Sequence, residues 1–272
     1  MTQSPILEVQ DLKTHFFTRT GVVKAVDGVS IHLNAGETLG IVGESGCGKS
    51  MTALSIMGLV PQPAGRIVGG RILLDGENLL EKTQAEMQEV RGRKVCMILQ
   101  DPMTSLNPVY TVGEQVVETL RMRTGSRLGD LKERGIDLLN RVKISSAAER
   151  MGSFPHQMSG GMNQRVVGAI ALAGGPKVLI ADEATTSLDA TIQYQYLQLL
   201  RDLQADTGLS IIFITHDFGI VAHMCTRVAV MYAGKVVETA GVRDLFNNPA
   251  HPYTEALMRS VPNVEEDVDH LY

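Results

Sequence analysis

The chain has no tryptophan, and its six phenylalanines and six tyrosines leave aromatics at 4% of 272 residues. A surface that stacks nucleic-acid bases needs exposed aromatic faces, and this chain has little material for one. Its three cysteines, Cys47, Cys96 and Cys225, are far apart and form no C-x-x-C pair. Neither a zinc site nor a disulfide framework is signalled. Two of them sit in or beside apolar runs, where cysteine acts as a small hydrophobe, and the pattern implies a reducing, cytosolic compartment. No run of 18 or more apolar residues occurs, so the chain is not expected to span a membrane. The opening Met1-Thr2-Gln3-Ser4-Pro5 is polar and is not expected to act as a signal peptide. Net charge is −5 with both signs interspersed, which does not suit a surface that coats nucleic acid; no nucleic-acid partner is expected.

What is present is a phosphate loop. Residues Gly43-Glu44-Ser45-Gly46-Cys47-Gly48-Lys49-Ser50 form a complete G-x-x-x-x-G-K-[ST] string after the apolar run Leu39-Gly40-Ile41-Val42, and helix-prone Met51-Thr52-Ala53-Leu54 follows. A buried strand must turn sharply into a helix there, and glycines permit backbone angles that a Cβ would forbid. The turn aims several N–H groups at one point, at the positive end of a helix. Lys49 supplies a mobile charge for the β- and γ-phosphates, and Ser50 a hydroxyl for Mg²⁺. Micromolar binding needs about 8 kcal/mol, while one charge-assisted hydrogen bond contributes only about 1.5–3 kcal/mol. Several converging donors are therefore required.

The start of the chain is rich in short β runs: Ile6 to Val9, Val22 to Val26, and Val29 to Leu33. Their partial alternation implies a half-exposed antiparallel sheet. Arg71 to Gly76 reads as a strand ending in a turn. Four apolar runs, Val95–Leu99, Lys177–Ala181, Ser210–Ile214 and Arg227–Met231, read as buried parallel strands separated mostly by helices, the pattern of a doubly covered α/β sheet. Residues of about 105 to 155 show helical patterns and no clear strand. They are read as a helical insertion between two halves of the core.

Polar groups end several of these strands. Val178-Leu179-Ile180-Ala181 runs into Asp182-Glu183. A carboxylate at the end of a buried strand is placed to hold Mg²⁺, usually through water, and Glu183 can polarise a water for in-line attack on the γ-phosphate. Gln100 follows Val95–Leu99 and can ligate Mg²⁺ or the attacking water; read alone, it is a polar strand end. His216 follows Ile211–Thr215 and can bond the γ-phosphate. Ligand-facing strand ends of an open α/β sheet carry such groups. Finally, Ser159-Gly160-Gly161 opens an Ala/Val-rich helix and makes a second anion site by the same physics, or simply a Ser-capped helix. One ATP does not obviously need two such loops from one chain, whereas two chains arranged head to tail would each complete the other's site.

Together these pieces resemble the ATP-binding subunit of an ABC transporter, over nearly the whole chain. Gly43 to Ser50 matches the Walker A motif, Gln100 the Q-loop, Ser159-Gly160-Gly161-Met162-Asn163-Gln164 the signature, Asp182-Glu183 the end of Walker B, Ser187-Leu188-Asp189 the D-loop and His216 the switch histidine, in the family's order. Gln100-Asp101-Pro102-Met103-Thr104-Ser105-Leu106-Asn107-Pro108 and His251-Pro252-Tyr253-Thr254 are similar to the dipeptide, oligopeptide and nickel importer branch. The resemblance implies an α/β P-loop NTPase fold of the ABC type, with a RecA-like parallel core, an N-terminal antiparallel β subdomain and a helical subdomain. It implies an ATPase domain over 1–246, with the core at about 36–104 and 165–246 and the helical part at about 105–164, and a short extension over 247–272. It implies ATP and Mg²⁺ as ligands, with the nucleotide held by Phe16, Gly43 to Ser50, Met51, Ser159, Gly160, Gly161, Gln164 and Asp189, the metal by Ser50, Gln100 and Asp182, and catalysis by Glu183, His216 and Gln100. Phe16, with Phe17 as runner-up, would stack on adenine unless it is ordinary core. The partners implied are a second, related ATPase chain in a head-to-tail dimer, two transmembrane permease subunits and, indirectly, an extracytoplasmic binding protein, with the chain peripheral on the cytoplasmic face of the membrane. Peptide is the expected cargo; nickel or another small solute is the alternative, and a soluble, non-transport ABC protein or a regulatory module without hydrolysis is a further one. Three departures stand out: Ala184 where the branch usually has proline, Met158 in place of a common leucine, and no cysteine after Cys225, so no iron–sulfur cluster is expected.

Overall fold

In this computed structural model, residues 4–99, 105–124, 128–186 and 188–260 are described. The elements run β1 (Leu7–Thr18), β2 (Gly21–Leu33), β3 (Thr38–Val42), α1 (Lys49–Ile56), β4 (Gly65–Leu74), β5 (Glu77–Asn78), α2 (Gln84–Val90), β6 (Val95–Ile98), α3 (Val112–Thr124), α4 (Leu128–Arg141), α5 (Ala147–Arg150), α6 (Gly160–Leu172), β7 (Val178–Asp182), α7 (Ala190–Thr207), β8 (Ser210–Ile214), α8 (Phe218–Met224), β9 (Arg227–Tyr232), β10 (Lys235–Gly241), α9 (Val242–Asn247) and α10 (Pro252–Arg259). The chain divides into two compact units, Met1–Glu81 with Ile212–Tyr272, and Lys82–Ile211.

The first unit holds an antiparallel sheet in the order β2-β1-β4-β5. The alternation expected of a sheet with one covered face is there, but with a break. Leu7, Val9, Leu12 and Thr14 are buried along β1, and Val26, Val29, Ile31 and Leu33 along β2. In both strands one step is three residues instead of two. The extra residue is a bulge, because a side-chain period of two tolerates no other insertion without turning the core face outward. Asp11 (φ 45), Gly28 (φ 90) and Gly70 (φ 97) mark the irregular stretches in β1, β2 and β4. These irregularities are why the period of two in the sequence ends β1 at Val9, divides β2 into two short runs and starts β4 late, at Arg71. The sheet packs on α1, where the Thr14 and Ser55 hydroxyls share a buried hydrogen bond of 2.8 Å.

The same unit contains β3 and β9 paired in parallel, with β10 antiparallel on the outer side of β9. β3 is buried along its whole length, as befits a strand covered on both faces. Arg227 at the start of β9 is fixed by a bidentate pair with Glu37, at 2.8 and 3.2 Å. β10 has no counterpart in the sequence reading: its residues are half-buried or exposed and none is buried, so neither an apolar run nor a clean alternation announces it.

The second unit pairs β6 and β7 in parallel and adds α2 to α7. Local signals set its helix ends. Thr83 and Glu86 form a reciprocal capping box at α2, Thr111 and Glu114 do the same before α3, and Gly208 (φ 70) closes α7 in the left-handed conformation.

A Cβ on Gly70 would lie 2.6 Å from both the Asp11 carbonyl oxygen and the Leu12 Cα, whereas Gly76 (φ 81) has nothing within 4 Å of that position. Gly76→Ala then carries only the left-handed backbone cost of about 1–2 kcal/mol. Gly70→Ala should lose clearly more, roughly 3 kcal/mol or above. Urea unfolding midpoints of the two variants measure the difference, and equal midpoints would contradict the aligned-bulge account.

Candidate functional site

Within the first unit, the five buried residues of β3 deliver the chain into a loop whose glycines lie in regions closed to most residues: Gly43 at φ 150, Gly46 at φ 81 and Gly48 at φ 109. Two of them are forced by close backbone. A Cβ on Gly43 would collide with the Met231 carbonyl oxygen, and one on Gly48 with the carbonyl of Ala25. The turn after β9 braces the loop from below, the Gly234 N–H donating to the Cys47 carbonyl at 2.9 Å. Gly48 is the N-cap of α1 and has no side chain to satisfy the first N–H groups. A helix start without a side-chain cap, with the helix dipole behind it, suits an anion.

Lys49 is 5% exposed. Its ammonium donates to the carbonyls of Gly43 at 2.7 Å and Glu44 at 2.8 Å. A buried charge must be paired or hydrogen-bonded, and here two peptide carbonyls hold it. Neither is an anion, so phosphate oxygens would be stronger acceptors. Cys47 lies against this ammonium, with Sγ 3.9 Å away. Burial pushes its thiol above the ordinary cysteine range despite the opposing pull of Lys49. Glu44, Ser45, Gly46 and Ser50 are exposed and Met51 is half-buried.

His216 is brought close to this loop in the fold. The Thr215 N–H donates to the Ile41 carbonyl at 3.2 Å, so His216 leaves the sheet beside the end of β3 and is exposed. Asp217 follows it and caps α8 through the N–H groups of Gly219 and Ile220. Phe16 sits in β1 opposite Val23 and Gly65 and is half-buried. Phe17 is 46% exposed, with the Arg66 guanidinium 5.6 Å from its ring centre.

Within the second unit, β7 is buried throughout and ends in Asp182, which is 7% exposed. Glu183 follows at φ 48, a left-handed angle for a non-glycine residue. Such strain concentrates where surrounding structure enforces it. Here Ala184 and Thr185 on its far side are both buried. Ala184 therefore takes the turn without the fixed φ of proline. Asp189 caps α7, accepting from the Thr191 and Ile192 N–H groups at 3.1 and 3.0 Å.

Ser159 caps α6 through the Met162 N–H at 3.3 Å, and it and Gly160 are exposed. Gly161 is required by neighbouring structure, since a Cβ there would meet the Ile192 side chain at 2.5 Å. Gln164, like Asn163 beside it and unlike the exposed Ser159 and Gly160, is buried; it is turned to Tyr196, whose hydroxyl burial pushes well above the ordinary tyrosine range. Gln100 and Ser187 lie outside the described residues.

One contact near the phosphate loop was not foreseen. The Glu44 N–H donates to the Tyr253 hydroxyl at 3.1 Å. Tyr253 figured in the sequence only as part of a family-like tail, and a separation of 209 residues leaves no local signal for such a pairing.

Comparison with known proteins agrees with this geometry. The ABC transporter family model matches residues 26–186, and a model of the oligopeptide/dipeptide transporter C-terminal region matches 237–272. The chain is 52% identical to a probable peptide ABC transporter ATP-binding protein of Sinorhizobium fredii, over 95% of this chain and 77% of that one. It is 50% identical to the oligopeptide transport ATP-binding protein AppD of Bacillus subtilis, over 98% of this chain and 82% of that one. Among solved structures, cbiO1 of Clostridium perfringens, part of the ABC transporter complex cbiONQ, aligns with a TM-score of 0.77 at 27% identity over 90% of this chain and 92% of that one. A dimeric bacterial ABC transporter cassette aligns with the same TM-score at 25% identity, over 87% and 99%. A phosphate loop braced as described, on an α/β fold shared with these cassettes, is thus accompanied by sequence identity of about half across nearly the whole chain, and the chain belongs to the ABC transporter ATP-binding family.

Proposed function

We propose that this chain is the ATP-hydrolysing subunit of an ABC importer for peptides, and that the residues described above divide the work as follows. The observation that carries the reading is the phosphate loop: an uncapped helix start and a buried lysine whose ammonium rests on neutral carbonyls. ATP offers that ammonium charged acceptors, and the triphosphate draws Lys49 off the Gly43 and Glu44 carbonyls. The N–H groups at the start of α1 take up the remaining phosphate charge. Phe16 stacks on the adenine.

The donor set suits Mg²⁺. The Ser50 hydroxyl and the Asp182 carboxylate are hard oxygen ligands, and Mg²⁺ is usually held by one or two protein oxygens, with phosphate and water completing its shell. Gln100 is the third proposed ligand. When bound, the metal neutralises charge developing on the phosphates. Glu183 accepts a hydrogen bond from the attacking water and orients it, while His216 bonds the γ-phosphate.

The start of α6 supplies the reason for a second chain. Ser159 and Gly160 present N–H donors to solvent, and a partner cassette bound head to tail would set its own triphosphate against them and Asp189. The γ-phosphate then joins the two chains, and its hydrolysis releases them. ATP favours the closed pair only to the extent that it binds that state more tightly than the open one. Gln164 takes part from below, by packing α6 against Tyr196.

No helix among the described residues is long and apolar enough to cross a membrane, and the subunit is proposed to sit peripherally on the cytoplasmic face, bound to two permease subunits served by an extracytoplasmic binding protein. An open, largely apolar groove of about 860 Å³, lined by Val117, Ile136, Ala148 and Met151 among others, supports the docking of permease helices on the helical subdomain. The peptide cargo rests on the printed names of the relatives and on the match to the C-terminal region.

Lys49→Ala should weaken ATP binding roughly 10- to 100-fold, the loss of one or two charge-assisted hydrogen bonds; tight binding by that variant would remove the phosphate-loop assignment. Glu183→Gln should bind ATP normally and lose about 100-fold or more in turnover. In cells lacking the gene, uptake of a labelled oligopeptide should return with the unaltered chain and not with Glu183→Gln. Cys47 should react with a small maleimide slowly near neutral pH and faster as pH rises, because its thiol titrates above the usual range. Bound ATP should protect it. Cys225, buried and pushed up to about 12, should stay unlabelled in the folded chain.

A further inference from the structure

Hydrolysis as proposed gives the C-terminal segment no part, yet one of its side chains touches the phosphate loop. The peptide unit linking Gly43 to Glu44 is held at both ends. Its carbonyl accepts from the Lys49 ammonium at 2.7 Å, and its N–H donates to the Tyr253 hydroxyl at 3.1 Å. Gly43, at φ 150, lacks the Cβ that would otherwise restrict rotation of this unit. When a triphosphate draws the ammonium away, the carbonyl loses its anchor and the tyrosine bond remains. The Glu44 N–H points to the tail, so Tyr253 does not compete with a nucleotide for it.

Tyr253 is itself firmly placed. Its ring packs on Tyr232, centroids 4.5 Å apart and planes at 45°. Its own N–H donates to His251 Nδ1 at 3.1 Å, which caps α10. Ahead of it, Glu238 on β10 accepts from the N–H groups of Ala250 at 2.8 Å and His251 at 3.0 Å. Burial works to raise the Glu238 carboxyl, but the Thr254 side chain and these N–H groups outweigh it and hold it below the ordinary glutamate range. Glu238 is thus the dock of the tail.

We propose that Tyr253 is a positioning residue for ATP: its hydroxyl fixes the Gly43–Glu44 peptide, and docking of residues 250–254 on Glu238 thereby sets the nucleotide affinity of the phosphate loop. The inference rests on the reading of this chain as an ATPase and gives the tail a role in it. A partner or modification that lifts the tail would loosen ATP binding without touching any phosphate ligand.

The test uses the full chain assembled with its permease, with ATP as the probe. Tyr253→Phe keeps the ring on Tyr232 and removes only the hydroxyl. It should raise KM and the equilibrium Kd for ATP roughly two- to tenfold, the worth of one hydrogen bond, with kcat unchanged. Glu238→Ala, which leaves Tyr253 and the loop intact, should shift KM in the same direction. The double variant should exceed neither single by much, because both act through one contact. A fall in thermal stability with KM unchanged, or fully additive effects, would overturn the proposal. Should Tyr253→Phe fail to fold, Glu238→Ala with an unaltered KM overturns it alone. If the unaltered chain bound no ATP, the ATPase reading would fall and this inference with it; normal binding by the unaltered chain with no change in the variants removes the inference only.

Discussion

The phosphate loop depends on two places where no side-chain atom can stand. At Gly43 and Gly48 the backbone lies directly against the carbonyls of Met231 and Ala25. Those carbonyls belong to the end of β9 and to β2, so the loop is pressed between a strand of the parallel sheet and a strand of the antiparallel one. Its curvature follows from this contact. With the loop so curved, the α1 N–H groups point outward without a side-chain cap, and Lys49 folds back over the loop's own carbonyls. Glycine is entropically costly to order, and the bracing by Gly234 offsets part of that cost with backbone hydrogen bonds rather than side chains that would obstruct a ligand.

The carboxylate end of β7 is held in a different way. Asp182 is fixed by the strand that carries it, whereas Glu183 lies at φ 48, where an L-residue costs about 1–2 kcal/mol. The cost is local and the enforcement is not: buried β7 precedes it, and buried Ala184 and Thr185 follow. Proline at 184 would stiffen the turn through its fixed φ. Alanine leaves the turn to be determined by packing, which suffices because both flanks are anchored.

Local features were legible in the sequence, and features made by distant segments were not. The glycine-rich turn at residues 43–48, the strand end at Asp182-Glu183 and the Ser-capped start of α6 are legible because each is a short string whose residue types set the local backbone conformation. The buried strands β7, β8 and β9 were equally plain as apolar runs. Reading failed at β1, β2 and β4, because bulges at Asp11, Gly28 and Gly70 break the period of two on which it relies. β10 gives no pattern either, its residues being half-buried or exposed with none buried. Gln164 shows a subtler limit: the motif suggested one ligand-facing surface, but α6 turns every third or fourth residue inward, and Gln164 lies five positions beyond the cap, on the face packed toward Tyr196.

The tail contact follows from the same physics as the loop it touches. A loop whose donors must remain open for a ligand cannot be stabilised by groups occupying those donors, so its support has to come from behind. Gly234 supplies it at the Cys47 carbonyl and Tyr253 at the Glu44 N–H. Neither lies among the N–H groups at the start of α1, and both are carried by segments that follow β9 in the chain. Support of this kind can be withdrawn without altering a single phosphate ligand, because Tyr253 is placed by Glu238 and His251 rather than by the loop. A C-terminal segment that held its dock only weakly would therefore change how often the loop is correctly shaped, leaving the chemistry of the shaped loop intact; that is a change in population, and it appears in affinity before it appears in rate.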